Sequence, residues 1–264
     1  MKNEPKKSNT AVPMIIIGLV LVGVVGGAWL LYRQSVSPNN TNTNLAANAS
    51  RTPQRVNPNA PVGATPPHML GSPTATVTVE EFADFQCGSC AATHPVLKEI
   101  QSTYGSKIRF VFRQFPLAMH DKAYDAAVAA EAAGMQGKFW QMQDQLFQNQ
   151  QAWSGPSANN KQMWTDYAQT IGLDIQQWQN DMAGISAKSR VDQDMQRGKA
   201  LNVSSTPSVY INGELVPYPE VNVAGLRRII DAELQKAPAS QSSSAAPAAP
   251  APAANSNTRN SNSK

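Results

Sequence analysis

The chain has 264 residues and a net charge of +4, from 22 Lys+Arg against 18 Asp+Glu, with only two cysteines. Between Met69 and Lys236 the balance reverses to 14 Lys+Arg against 17 Asp+Glu, so the basic excess sits in the ends and the middle offers no basic nucleic-acid face. Two cysteines exclude both a disulfide framework and a four-cysteine zinc site.

Residues 1–13 carry Lys2, Lys6 and Lys7 against Glu4, and an uncharged apolar run follows from Met14 to Leu31. As a helix it rises about 27 Å, and its flanks bring it to bilayer thickness. Trp29 and Tyr32 mark an aromatic belt, and the lysines before the span outnumber Arg33 after it. The sequence therefore predicts a cytoplasmic N-terminus at 1–13, a transmembrane anchor at 14–32 and everything later outside the cytoplasm. A cleavable signal peptide is the rival reading. Ala47-Asn48-Ala49 has the small-x-small pattern, but it lies too far beyond the apolar run, so an uncleaved anchor is favoured. Residues 33–68, rich in Asn, Pro and Thr, read as a disordered linker in which His68 has no expected role.

The folded part is expected at 69–236. Thr74 to Phe85 alternates β-branched or aromatic with polar residues, the pattern of a strand. On that alternation Glu81 shares an apolar face with Val77 and Val79, whereas Glu80 should face solvent. Cys87-Gly88-Ser89-Cys90 follows, and Val96, Leu97 and Ile100 then give one buried helical stripe up to Tyr104. A cysteine pair at a strand-to-helix junction sets the first sulfur over the unpaired N–H groups of the helix start, which favours thiolate over thiol. Cys87 gains most and is the candidate nucleophile; Cys90, one turn in, is the resolving thiol. Gly88 and Ser89 bring no positive charge to the pair. His94 lies seven residues beyond Cys87, so a Cys87, Cys90 and His94 metal set is a competing reading. The plainer one has His94 pack or bond within a helix bent at Pro95.

Lys107 to Phe112 reads as a second strand. A helical block follows at about 118–202, with segments at 121–133, 138–148, 159–171, 175–182 and 186–201 separated by Gly and Pro. Its aromatic and Met residues, among them Phe139, Trp140, Met142, Leu146 and Phe147, are expected in the core. Ser208 to Ile211 and Glu214 to Val216 flank Asn212-Gly213, a hairpin signal. A last helix spans Val223 to Lys236, and 237–264 is an Ala/Pro/Ser/Asn-rich tail expected to be disordered. The order strand, helix, strand, helical block, strand, strand, helix predicts an α/β protein with one mixed sheet covered on both faces.

Phe85-Gln86-Cys87-Gly88-Ser89-Cys90 opening a helix, Thr206-Pro207 and the Asn-Gly hairpin together resemble the thioredoxin fold with an inserted helical domain. Within it, the chain resembles the membrane-tethered branch of the DsbA-like thiol-disulfide oxidoreductases, over roughly Ser72 to Leu234. The resemblance implies a redox-active Cys87–Cys90 disulfide and no other cofactor, metal included. It implies that Glu81 is the buried acid beneath the active site, exchanging a proton with Cys90. It makes the Thr206–Pro207 bond cis, with a backbone edge that pairs with substrate, where sequence alone predicts an ordinary trans proline. His120, a local capping group on the residue reading, matches a histidine the family often places near the site. A histidine between the cysteines strengthens the thiolate in some members; its absence implies a weaker oxidant here. The implied partners are unfolded exported proteins with thiols and a membrane redox partner, quinone-linked as in the family. A reductase or isomerase of the same fold, a Cys/His metal-binding module and a purely structural envelope protein stay open.

Overall fold

The computed structural model describes residues 57–242, and the expected anchor at 14–32 lies outside them. Among the described residues no helix is long and apolar enough to cross a membrane. Five strands form one mixed sheet in the order β1-β3-β2-β4-β5. These are β1 His68–Gly71, β2 Val77–Ala83, β3 Ile108–Gln114, β4 Ser208–Ile211 and β5 Glu214–Leu215. Helix α1 (Gly88–Tyr104) links β2 to β3, and the pair runs parallel, as a crossover requires. β4 is antiparallel to β2, and Asn212 (φ 49°) with Gly213 (φ 80°) turns the chain into β5, the left-handed pair that a tight hairpin needs.

Between β3 and β4 the helical insert comprises α2 (Ala123–Met135), α3 (Phe139–Gln148), α4 (Gln150–Ser154), α5 (Asn160–Thr170), α6 (Ile175–Ala183) and α7 (Ile185–Ala200). Its core is aromatic: Trp153, Trp164 and Trp178 are fully buried, as are Phe139, Met142, Leu146 and Phe147, while Trp140 packs partly buried against them. Two indoles also anchor backbone, Trp153 Nε1 donating to Leu146 O (2.8 Å) and Trp178 Nε1 to Ala129 O (3.0 Å). The closing helix α8 runs Val223–Ser242, past the expected start of the tail at 237.

The sheet buries both faces, and this overturns two expectations. One face of β2 carries Val77, Val79 and Glu81 towards α1, α3 and α8; the other carries Glu80 and Phe82 towards α7. Glu80 is not the solvent-facing acid that alternation predicts. It is 7 % exposed and bonded to Arg113 Nε (2.8 Å) and to Arg197 Nε and Nη2 (2.7 Å each), charges that arrive from β3 and α7. The linker boundary also moves. Ahead of β1 a strap is held by arginine: Arg113 donates to Val62 O (2.8 Å) and Ala64 O (3.0 Å), Arg197 to Pro61 O (2.9 Å) and Arg190 to Pro66 O (2.9 Å). Asp194 completes the clamp by accepting from Ala64 N (2.8 Å). His68, assigned to the linker, begins β1, stacks on Phe139 with ring centroids 3.5 Å apart and meets buried Glu131 at 2.8 Å. These partners lie far along the chain, so no local composition reveals them.

Candidate active site

The topology brings three loops to one end of the sheet. β3 runs parallel to β2, so its last residue, Gln114, stands beside Ala83 and delivers the loop carrying His120. β4 runs antiparallel, so its first residue, Ser208, stands beside Phe82 and delivers Thr206-Pro207. Between them the chain leaves β2 through Asp84, Phe85 and Gln86 and enters α1 with Cys87 as its N-cap. The Thr206–Pro207 peptide bond is cis.

Both cysteines are free thiols; Cys87 is 8 % exposed and Cys90 fully buried. Cys87 Sγ lies 3.1 Å from Ser89 Oγ and 3.4 Å from Thr206 O, and Ser89 Oγ is itself 3.2 Å from Thr206 O. The Cys87 thiol is pulled down to about 4, first by its hydrogen bond from Cys90; partial burial opposes this, and Ser89 and Thr206 add to it. Cys90 is pushed well above the usual thiol range, first by burial and then by its bond to Cys87, with the charge of Glu81 adding. One sulfur is thus a thiolate at neutral pH and the other keeps its proton. Ser89 supplies what charge does not: its hydroxyl lies within hydrogen-bond reach of both the Cys87 sulfur and Thr206 O.

Glu81 is 2 % exposed, with apolar Phe112 and Val209 opposite it on the two flanking strands, and burial lifts its carboxyl to about 8. His94 is not part of the sulfur cluster. Its Nε2 meets Asp144 Oδ1 at 2.8 Å, its ring packs on Phe147, and burial pushes the imidazole down. The competing metal reading therefore lacks its third ligand, and among the described residues no group of three or more His, Cys, Asp or Glu could hold a metal. His120 Nδ1 bonds Asp84 Oδ2 (2.7 Å), so its ring is held on a buried acid. Asp84 also accepts from Gln86 N (2.7 Å) and Leu117 N (2.8 Å), tying both loops to the end of β2. Asp84 was not singled out from the sequence, although an acid closing a strand before a turn is an Asx-turn signal.

A family model described as thioredoxin matches residues 64–232. The chain belongs to the thioredoxin family. Among solved structures this thioredoxin-family chain is similar to a thioredoxin-like oxidoreductase from Silicibacter pomeroyi, with TM-score 0.54 and 28 % identity over 68 % of this chain and 94 % of that one. It shares its fold with BdbD from Bacillus subtilis (TM-score 0.56, 24 % identity, 67 % and 98 % covered) and α-DsbA1 from Wolbachia pipientis (0.58, 18 %, 67 % and 95 %). The fold is DsbA-like, with the helical insertion. Curated relatives include Na⁺/H⁺ antiporter NhaA 1 of Mycolicibacterium gilvum, 35 % identical over 153 residues, which is 56 % of this chain and 23 % of the antiporter. NhaA 3 of Salinispora tropica is 35 % identical over 154 residues, 58 % of this chain and 22 % of that protein. This chain spans less than a quarter of the length of those two relatives.

Proposed function

We propose that the protein is a membrane-anchored thiol-disulfide oxidoreductase that forms disulfides in exported polypeptides outside the cytoplasm. The observation that carries this is the asymmetry of the pair: Cys87, slightly exposed, rests its Sγ against Ser89 Oγ and Thr206 O, while Cys90 is sealed behind it. Only one sulfur is open to attack, and it is the better leaving group.

In the oxidised protein a substrate thiolate attacks Cys87 Sγ. The Cys87–Cys90 bond breaks, a mixed disulfide forms at Cys87, and the electron pair passes to Cys90, which takes a proton from Glu81. A second substrate thiolate attacks the substrate sulfur of the mixed disulfide and releases Cys87 as thiolate. The substrate loses two electrons and the cysteine pair gains them. Thr206 O, beside the Cys87 sulfur, is the backbone edge that pairs with extended substrate. Thiolate stabilisation draws the reaction forward. It is fully present above the ordinary thiol range and is lost as pH falls through about 4, so it operates at neutral pH. Reoxidation falls to a membrane redox partner of the quinone-linked kind. The antiporter activity named for the curated relatives is not carried over.

Thiol oxidation by the full chain tests the reading. Cys87→Ser is expected to abolish it, and Cys90→Ser to accumulate a mixed disulfide visible on non-reducing gels. Equilibration against glutathione fixes direction: a potential near about −120 mV supports the oxidase, whereas one near about −270 mV replaces it with a reductase. Retained activity in Cys87→Ser sinks the proposal.

A further inference from the structure

Gln150 stands in a run of four amides, Gln148-Asn149-Gln150-Gln151, and alone among them is buried, at 8 % exposure. It opens α4 directly after α3, with Asn149 between the two helices donating from Nδ2 back to Gln145 O (2.9 Å). This break swings the Gln150 side chain out of the insert and onto the strand-to-helix turn. There Nε2 donates to Phe85 O (2.7 Å) and to Cys87 O (2.9 Å), the carbonyls on either side of Gln86. Both N–H groups of one amide are spent on the backbone that carries the sulfur.

We infer that Gln150 is a positioning residue for Cys87, through which the helical insert fixes the active-site turn and so the direction of the sulfur. The turn has few other restraints of this kind. Asp84 Oδ1 holds Gln86 N (2.7 Å), and the Gln86 side chain bonds Asp121 Oδ1 (2.9 Å) and Lys122 N (2.8 Å). None of these reaches the Cys87 carbonyl, which otherwise accepts only the first helical bond, from Ala91 N (3.2 Å). Cys87 Sγ meets Thr206 O from another strand and Ser89 Oγ from α1 only if the turn keeps its angle, and two carbonyls pinned by one side chain set that angle. Without the donor, Phe85 O loses this bond, Cys87 O keeps that from Ala91 N, and the turn relaxes towards water.

The inference rests on Cys87 being the exchanging sulfur, but its test does not need turnover. The titratable groups around the turn are Cys90 on α1, Glu81 on β2, Asp84 just after it, and His120, Asp121 and Lys122 in the loop after β3; all are unchanged in Gln150→Met, and Gln150→Glu adds one carboxylate. Gln150→Met keeps length without a donor, and Gln150→Glu keeps length with an acceptor. In the reduced full chain, thiolate absorbance against pH is expected to move its Cys87 midpoint up by about one unit in Gln150→Met and further in Gln150→Glu. Disulfide exchange should slow about tenfold at neutral pH. Thermal unfolding of the oxidised and reduced forms supplies the structural control. An unchanged midpoint with equal loss of stability in both redox forms overturns the positioning role and leaves Gln150 a packing residue. A midpoint that shifts in Gln150→Met while the wild-type protein oxidises no thiols would sink the proposed function and keep the inference.

Discussion

At the scale of single residues, Glu81 carries a large cost and, in the proposed mechanism, a definite role. Its carboxyl rises from 4.5 to about 8 because no charge faces it across β3 or β4, only Phe112 and Val209. Between those two values the folded chain holds a proton that the unfolded chain has released, so stability falls as pH rises through that window. At pH 7 the cost is about 3 kcal/mol. Glu81→Gln is therefore expected to stabilise the protein by up to about 3 kcal/mol at pH 7 and by little below pH 4.5, measured by denaturant unfolding across that range. The same substitution should slow reduction of the Cys87–Cys90 pair about tenfold or more, since Cys90 loses its proton donor. A variant with flat stability gain and unchanged kinetics would place the acid outside the chemistry. The alternation of β2 already set Glu81 on the apolar face. The same reasoning failed for Glu80, one residue earlier, because the opposite face is covered too and only Arg113 and Arg197 make that burial tolerable.

At the scale of elements, the strap before β1 decides where the domain begins. Four backbone carbonyls between Pro61 and Pro66 accept from Arg113, Arg190 and Arg197, and Arg113 also bonds Glu80 and Asp194. Removing the strap leaves these guanidinium donors short of acceptors on a buried sheet face and empties the site that Ala64, 1 % exposed, fills. A chain starting at residue 57 is expected to unfold cooperatively, and one starting at Met69 to be less stable by about 3–5 kcal/mol or to aggregate. Equal unfolding midpoints for the two fragments would return the boundary to Met69. The helices, in contrast, were legible: every predicted segment of the insert has its counterpart within a few residues, because apolar spacing and Gly/Pro breaks are local signals. α4 was missed, being five residues long with three of them polar, and it carries Gln150.

For the whole molecule, the chain joins a thioredoxin-family domain to an apolar N-terminal run that the described residues do not include. If residues 14–32 anchor it uncleaved, the full chain stays in the membrane pellet after alkaline extraction, and protease added outside cells removes the domain but leaves a short N-terminal fragment. A chain recovered soluble and beginning after Ala49 would instead establish cleavage. The folded part lacks a basic excess, so the proposed attachment rests on that run rather than on attraction between the domain and anionic lipid.

By itself the sequence determined the order of elements from β2 onward apart from α4, the hairpin, the position of the cysteine pair at a helix start and the presence of an acid on an apolar strand face; β1 was not among them. Each of these is a matter of neighbours within a few residues, where periodicity and turn chemistry act. Only the tertiary structure decided that Thr206 O and Ser89 Oγ share the Cys87 sulfur, that His94 turns to Asp144, that Glu80 is buried among arginines and that Gln150 grips the active-site turn. Those contacts join residues as far as 119 positions apart, and they exist because parallel and antiparallel pairing brings three chain ends to one edge of the sheet.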